Sequence, residues 1–249
     1  MPHTTLNQFL PAIQTLNTGK SLTKQELLTA SFRIEKDGDL SMYYAPHNES
    51  INPDAKIVIV GITPGWQQMK TAFEQFITSL SSDKTLETCL KETKKAAGFA
   101  GSMRKNLTAM LDQCGVPHIL GMTHSADLFE HRRDLLHTTS VVKYPVFING
   151  KNYTGHQPPI DRAPLLQPYA YNMFPDEMAQ ITSNALVIPL GRTVDSVIVR
   201  LAEEDKLPRH TFLTGFPHPS GANGHRVKQF QQQKRQLQEK VTSWAGEMN

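Results

Sequence analysis

Cysteine is scarce in this chain: 249 residues contain two, Cys89 and Cys114. Two thiols so far apart cannot build a disulfide framework or a four-cysteine metal site. Their scarcity points to a reducing, cytoplasmic setting. Long apolar runs are missing as well. Ile57–Val60 is one of the longest near the sheet core, against about 20 residues for a membrane helix, so no span and no membrane partner is expected. Met1–Lys20 lacks a basic start followed by an apolar stretch, which argues against a signal peptide. No internal repeat and no low-complexity tract occurs, which excludes solenoids and mucin-like stalks. Charge of one sign is nearly absent too: 26 Lys and Arg against 23 Asp and Glu leave +3. That balance permits an acidic partner without demanding one. What is present is a core, with 39% hydrophobic and 20% charged residues. Wholesale disorder is therefore excluded, and the length suits one large domain with an appendage.

The appendage is residues 1–55. Leu6, Leu10, Ile13 and Leu16 recur at helical spacing, and Ser21–Lys24 opens a short second helix running to about Ser31. Phe32–Glu35 and Leu40–Tyr44 then flank Asp37-Gly38, a hairpin signature. Residues 56–249 read as the main domain, in a rhythm of buried strand, loop and helix. Ile57–Val60 is β-branched without alternation, as in a central parallel strand covered on both faces. Further strands are expected at Ser140–Val142, Ala185–Leu190 and Phe212–Phe216. Apolar stripes predict helices over Met69–Leu80, Met103–Leu111 and Val227–Trp244. The fold class is therefore α/β with a mainly parallel sheet, whose ligand belongs beyond the carboxyl ends of the strands.

Two loops at such ends carry unusual chemistry. Gly61-Ile62-Thr63-Pro64-Gly65 is a tight turn entering a helix, where free backbone N–H groups attract an anion or a carbonyl oxygen. It is also an ordinary strand–helix connection. Pro217-His218-Pro219-Ser220-Gly221-Ala222-Asn223 holds one titratable group between two prolines, suited to donating a hydrogen bond or moving a proton. Between them lie Thr139–Lys143 and Ala185–Thr193. In this order the four segments resemble the uracil-DNA glycosylase superfamily: its Gly-x-x-Pro-Gly and His-Pro-Ser motifs, its Thr-Asn-Val-Val-Lys segment and its Leu-Gly-x-Thr segment. The resemblance covers about residues 56–245.

The resemblance implies a three-layer αβα fold around a four-stranded sheet, and cleavage of the N-glycosidic bond of a base flipped out of DNA. His218 would donate to the base carbonyl oxygen as negative charge builds there. Thr63 takes the place of the Asp that handles water in the most active members. It is no general base near neutral pH, but can orient a water. Asp54 and Glu49 are candidate carboxylates to supply the missing charge. Gly61, Ile62, Pro64 and Gly65 would border the base pocket. Phe76 sits thirteen residues after Thr63, at the offset of the family's stacking ring, although the Met69–Leu80 stripe accounts for it unaided. Trp66 is the competing aromatic. Ser140 replaces the Asn that reads the pyrimidine edge, and Gly65 replaces the Tyr that excludes a C5 methyl group. Together they predict a roomy pocket with relaxed edge reading and a substrate other than plain uracil. A 5-substituted pyrimidine fits, in the manner of superfamily members that attack modified phage DNA.

On the DNA side the resemblance places Pro219, Ser220 and the backbone around Gly221 against phosphates and the minor groove, and Arg226, His225 or Asn223 in the gap left by the flipped base. Lys143 and Arg162 would be phosphate or sugar contacts, and Arg192 is a further DNA-binding residue. The basic residues that follow Arg226 are equally well a solvated helix face. Residues 145–176, rich in Pro and Tyr, read as an ordered irregular loop that covers the pocket or is only a structural insertion. The iron–sulfur branches need four cysteine ligands, so no cofactor is expected, and His124, His131, His137 and His156 read as scattered loop histidines rather than a metal set. Two further classes stay open: a DNA-binding member that has lost catalysis, and a nucleoside or nucleotide hydrolase. An ordinary uracil or mismatch repair enzyme is the other glycosylase reading.

Overall fold

A computed structural model describes residues 4–17 and 19–247. Met1–His3, on which part of the leader reading falls, lie outside the described residues, as do Thr18, Met248 and Asn249. In chain order, α1 (Thr4–Gln14), α2 (Lys24–Leu27), β1 (Arg33–Asp37) and β2 (Leu40–Tyr43) come first. Next are β3 (Ile57–Gly61), α3 (Trp66–Leu80), α4 (Leu86–Ala97), α5 (Ser102–Gln113), α6 (Val116–Ile119) and β4 (Leu136–Ser140). After these come β5 (Val146–Ile148), β6 (Lys151–Asn152), α7 (Phe174–Met178), β7 (Leu186–Pro189), α8 (Arg192–Glu203), β8 (Thr211–Phe212) and α9 (Arg226–Glu247). The protein is mixed α/β, and its residues gather into two units. One holds the described residues of Met1–Ile51, with Thr63–Gly98 and Val142–Pro168. The other holds Asn52–Ile62, Phe99–Val141 and the described residues of Tyr169–Asn249. The contacts thus divide the chain elsewhere than at residue 55, because the N-terminal hairpin has its strand partner far away, at residues 146–152.

The second unit is built on a parallel sheet in the order β4-β3-β7-β8. All four of Ile57–Val60 have no exposure, as their unbroken β-branched run requires. Ile57, Ile59, Leu186 and Ile188 share one apolar cluster with Leu107 and Leu111 of α5 and with Leu237, Val241 and Trp244 of α9. The Trp244 indole N–H also donates to the Asn184 carbonyl, at 3.1 Å. The strand expected over Ser140–Val142 lies instead at Leu136–Ser140, a polar sequence that hydrophobicity does not mark. Its His137 is fully buried because Nε2 meets the Glu177 carboxylate at 2.9 Å. That shift places Ser140, not Val142, at the carboxyl end of the strand, opposite Gly61. The strand expected over Phe212–Phe216 is only Thr211–Phe212.

The first unit is built on an antiparallel sheet in the order β1-β2-β5-β6. The Asp37-Gly38 hairpin forms, with Gly38 at φ +54°. Residues 145–176 are not the irregular loop expected. They begin with a second hairpin whose turn is Asn149-Gly150, both at positive φ (48° and 74°), as a type I′ turn requires. Phe9 stacks on Tyr44 at 4.5 Å, Phe32 meets Phe73 of α3 edge-on at 4.9 Å, and Tyr43 meets Phe147 at 5.8 Å. α2 is a single turn at whose start the Thr23 N–H and hydroxyl donate to the Glu26 carboxylate, and it is shorter than the helix expected to reach Ser31. Among the described residues no helix is long and apolar enough to cross a membrane.

Trp244→Ala removes a fully buried ring and its hydrogen bond. It is expected to cost about 3–5 kcal/mol in urea unfolding, and a loss below about 1 kcal/mol would contradict this packing.

Candidate functional site

At the carboxyl edge of the parallel sheet, β3 ends at Gly61 and β4 at Ser140, which are register partners. A side chain at Gly61 would start 3.3 Å from the Ser140 hydroxyl and 3.3 Å from the Phe99 ring, so glycine allows this close approach. Phe99 sits at φ +50°, a conformation unfavourable for a bulky residue and associated with functional sites. It is the aromatic ring beside Gly61, which the sequence reading missed. Phe76, read as a stacking ring, has no exposure and belongs to the inward face of α3. The apolar stripe explains it.

His218 follows β8 in the same unit. Its Nδ1 accepts from the Ser220 N–H at 3.3 Å, which leaves the ring proton on Nε2. Burial pushes its pKa below the usual value of 6.5, so the ring is neutral near pH 7 and is a donor through Nε2. The loop is braced from several sides. Asn106 of α5 donates to the Pro219 carbonyl at 2.9 Å, and Asn223 donates to the His218 carbonyl at 3.1 Å. The Arg226 guanidinium donates to the Ser220 carbonyl at 2.8 Å, so it tightens the loop in this structure rather than projecting as a wedge. Gly191, at φ +86°, donates its N–H to the Phe216 carbonyl at 2.9 Å. A Cβ there would stand 3.0 Å from that of His218. Farther along α8, Asp195 accepts from the Gly215 N–H at 3.0 Å, and burial raises its pKa to about 6. Arg192 is exposed at the start of α8, and Gly221 is exposed in the loop. On α9, Lys234 donates to Gln113, Arg235 to Glu239 and Lys240 to Thr214, so these cations bind neighbours in the fold.

The other predicted residues, Thr63, Pro64, Gly65, Trp66, Phe76 and Lys143, belong to the first unit. The Thr63 hydroxyl donates its proton to the Tyr144 carbonyl at 2.7 Å and accepts from the Val146 N–H at 3.1 Å. Its one proton is committed, and the remaining lone pair can only accept. The space beside Gly65 is not open. The Asn152 amide nitrogen lies 3.2 Å from where a Cβ would be, and the Asn152 oxygen accepts from the Trp66 N–H at 2.9 Å. Lys24 stands 5.8 Å over the Trp66 ring and donates to the Gly150 carbonyl. Lys143 is turned inward, 3.8 Å from a Glu49 oxygen with its side chain 16% exposed, and Asn48 holds its carbonyl. It is placed for an internal ion pair rather than a phosphate.

Near this ion pair the first unit buries polar groups without partners. Among the described residues, neither ring nitrogen of His47 has one, nor does the Tyr44 hydroxyl. Burial first, then the Lys94 and Lys143 charges, lowers the His47 pKa to about 3.

YoxB of Bacillus subtilis (strain 168), described as an uncharacterized protein, is 52% identical over 225 residues, which cover 90% of this chain and 88% of YoxB. The chain belongs to the YoxB family. No family model and no solved structure matches it. The uncovered tenth of the chain is smaller than either unit, so YoxB shares sequence with both.

Two outcomes follow from this geometry. Gly191→Ala forces a Cβ onto His218 at a positive φ, and is expected to destabilise the fold by about 1–3 kcal/mol while shifting the His218 ring resonances in NMR spectra. Unchanged resonances would contradict the contact. His47 has a folded pKa below its unfolded one, so the unfolded chain binds the extra proton between pH 6.5 and about 3. Its contribution therefore falls as pH drops through that window, by about 1.4 kcal/mol per pH unit. Urea titrations of wild type and His47→Leu over this range are expected to differ by that slope, and parallel curves would refute it.

Proposed function

We propose that the chain is a monofunctional DNA glycosylase on a uracil-DNA glycosylase-like, three-layer fold, hydrolysing the N-glycosidic bond of a modified pyrimidine and leaving an abasic site. The observation that carries this reading is His218. It is a neutral imidazole on a rigid loop after a parallel strand, with Nδ1 occupied by Ser220 and Nε2 left as the donor. As the C1′–N bond breaks, the electron pair moves onto the base, and a fixed neutral donor stabilises the developing oxyanion without first losing a proton. Gly191 and Asn106 position this group.

Ser140 supports the choice of substrate. It stands beside Gly61 with one hydroxyl and can make fewer edge contacts than an Asn, so a pyrimidine is read loosely. Asn152 fills the space beside Gly65, so relaxed reading rests on Ser140 alone. Phe99 is the ring placed to border the base on the Gly61 side. Thr63, its proton committed, contributes at most an acceptor to a water.

The test is alkali-induced strand breakage on duplexes carrying uracil, a thymine mismatch or bulky 5-substituted cytosines. Breaks with a substituted pyrimidine, reduced about 100-fold or more by His218→Ala, are the expected result. A preference for plain uracil would overturn the substrate class. Salt-sensitive DNA binding without breaks at any base would make the protein a binding module instead.

A further inference from the structure

One turn of α8 grips the chain just ahead of His218, and Asp195 is part of that grip. The Asp195 N–H donates to the Gly191 carbonyl at 3.1 Å, the Gly191 N–H to the Phe216 carbonyl at 2.9 Å, and the Gly215 N–H to Asp195 Oδ2 at 3.0 Å. Two adjacent loop residues are thus tied to α8, all within the second unit, which also holds His218. From there to the imidazole the link is short and stiff. Phe216 and Pro217 are buried, proline has a fixed φ, and a Cβ on Gly191 would stand 3.0 Å from that of His218. A shift of the Gly215 peptide therefore reaches the ring with little slack.

For stability alone, Asp195 is a poor choice. Gly215 needs one acceptor, which an Asn would supply without charge. The carboxylate instead buries its Oδ1 without a partner among the described residues, which costs stability. Burial raises its pKa from 3.8 to about 6, against the Gly215 N–H and the Lys240 ammonium, which both favour the ionised form. The folded chain holds the extra proton between those two values, so stability falls as pH rises through that window. The ionised carboxylate is thus the costlier form for the fold. It is also the form present near pH 7 and the stronger acceptor for Gly215.

Charged groups reach this region from three helices. From α9, Lys240 donates to the Thr214 hydroxyl at 2.6 Å and Arg226 to the Ser220 carbonyl at 2.8 Å. Arg192 of α8, Lys105 of α5 and the loop residue His225 are exposed. At His218 itself, burial lowers the pKa.

We propose that Asp195 is a positioning residue for His218: its ionised carboxylate holds the loop so that the imidazole stands ready to donate to the base, and taking a proton slackens that hold and slows excision. The bearing on excision rests on the glycosylase reading, whereas the coupling between the two side chains does not.

The test uses the full chain with two readouts. The first follows the Gly215 amide and the His218 ring by NMR from about pH 4.5 to 8. In wild type both are expected to step with a common midpoint near 6. Asp195→Asn keeps an acceptor but cannot titrate, and is expected to remove that step from both, leaving the ring its own titration. If Asp195→Asn does not fold, Lys240→Gln removes a charge that acts on Asp195 and is expected to raise both midpoints together. A His218 ring that ignores the Gly215 step overturns the proposal, and so does a Gly215 amide without a step. The second readout is single-turnover excision of the base that the duplex panel shows to be cleaved. Wild type is expected to slow about tenfold as pH falls through 6, and Asp195→Asn to be about tenfold slower near pH 7.5 without that step. If wild type excises with no step near 6, or Asp195→Asn keeps it, the proposal is overturned while the glycosylase reading stands. If no base is excised while the two resonances still step together, the glycosylase reading falls and the coupling of Asp195 to His218 stands.

Discussion

The backbone pairing of β3 on both sides is the constraint on which the parallel unit depends. Its ladder continues past the strand ends: the Val141 N–H donates to the Gly61 carbonyl, the Leu190 N–H to Val60, and the Gly191 N–H to Phe216. Each bond hands the order of the buried strand to a loop. The last reaches within two residues of His218, so the imidazole inherits its position from apolar β-branched residues with no exposure. On the proposed reading, a donor held in this way needs little reorganisation as charge develops on the base.

The first unit solves a different problem. Thr63, Gly65 and Trp66 open α3 and are tied to a hairpin distant in sequence, through Tyr144, Val146 and Asn152. The Thr63 hydroxyl and the Trp66 N–H are thus spent on holding that hairpin. Charge follows the same economy. Lys143, Lys234, Arg235 and Lys240 all answer groups within their own unit, whereas Arg192 and Lys228 are exposed.

How much of this was legible depended on the signal each element carries. The run Ile57–Val60 and the Asp37-Gly38 turn are strong local signals, and both formed. β4 was misplaced because Leu136–Ser140 is polar, and burial there is compensated by Glu177 rather than by apolarity. The second hairpin was legible in principle from Asn149-Gly150, but the surrounding prolines and tyrosines drew the reading toward a loop. For the candidate site, the proline-fixed His218 announced itself. The inward turn of Lys143 depends on Glu49, distant in sequence, which spacing alone does not reveal; the bracing role of Arg226 depends on how its loop folds back to Ser220, while the burial of Phe76 was legible in the Met69–Leu80 stripe.

The division of the chain has a consequence for inheritance. It passes from one unit to the other at 51/52, 62/63, 98/99, 141/142 and 168/169. One of these passages lies inside the Gly61–Gly65 turn, between Ile62 and Thr63. Neither unit is a cassette that recombination can lift out or a truncation can isolate. A cut at any single point of the chain between residues 52 and 168 therefore leaves both units incomplete.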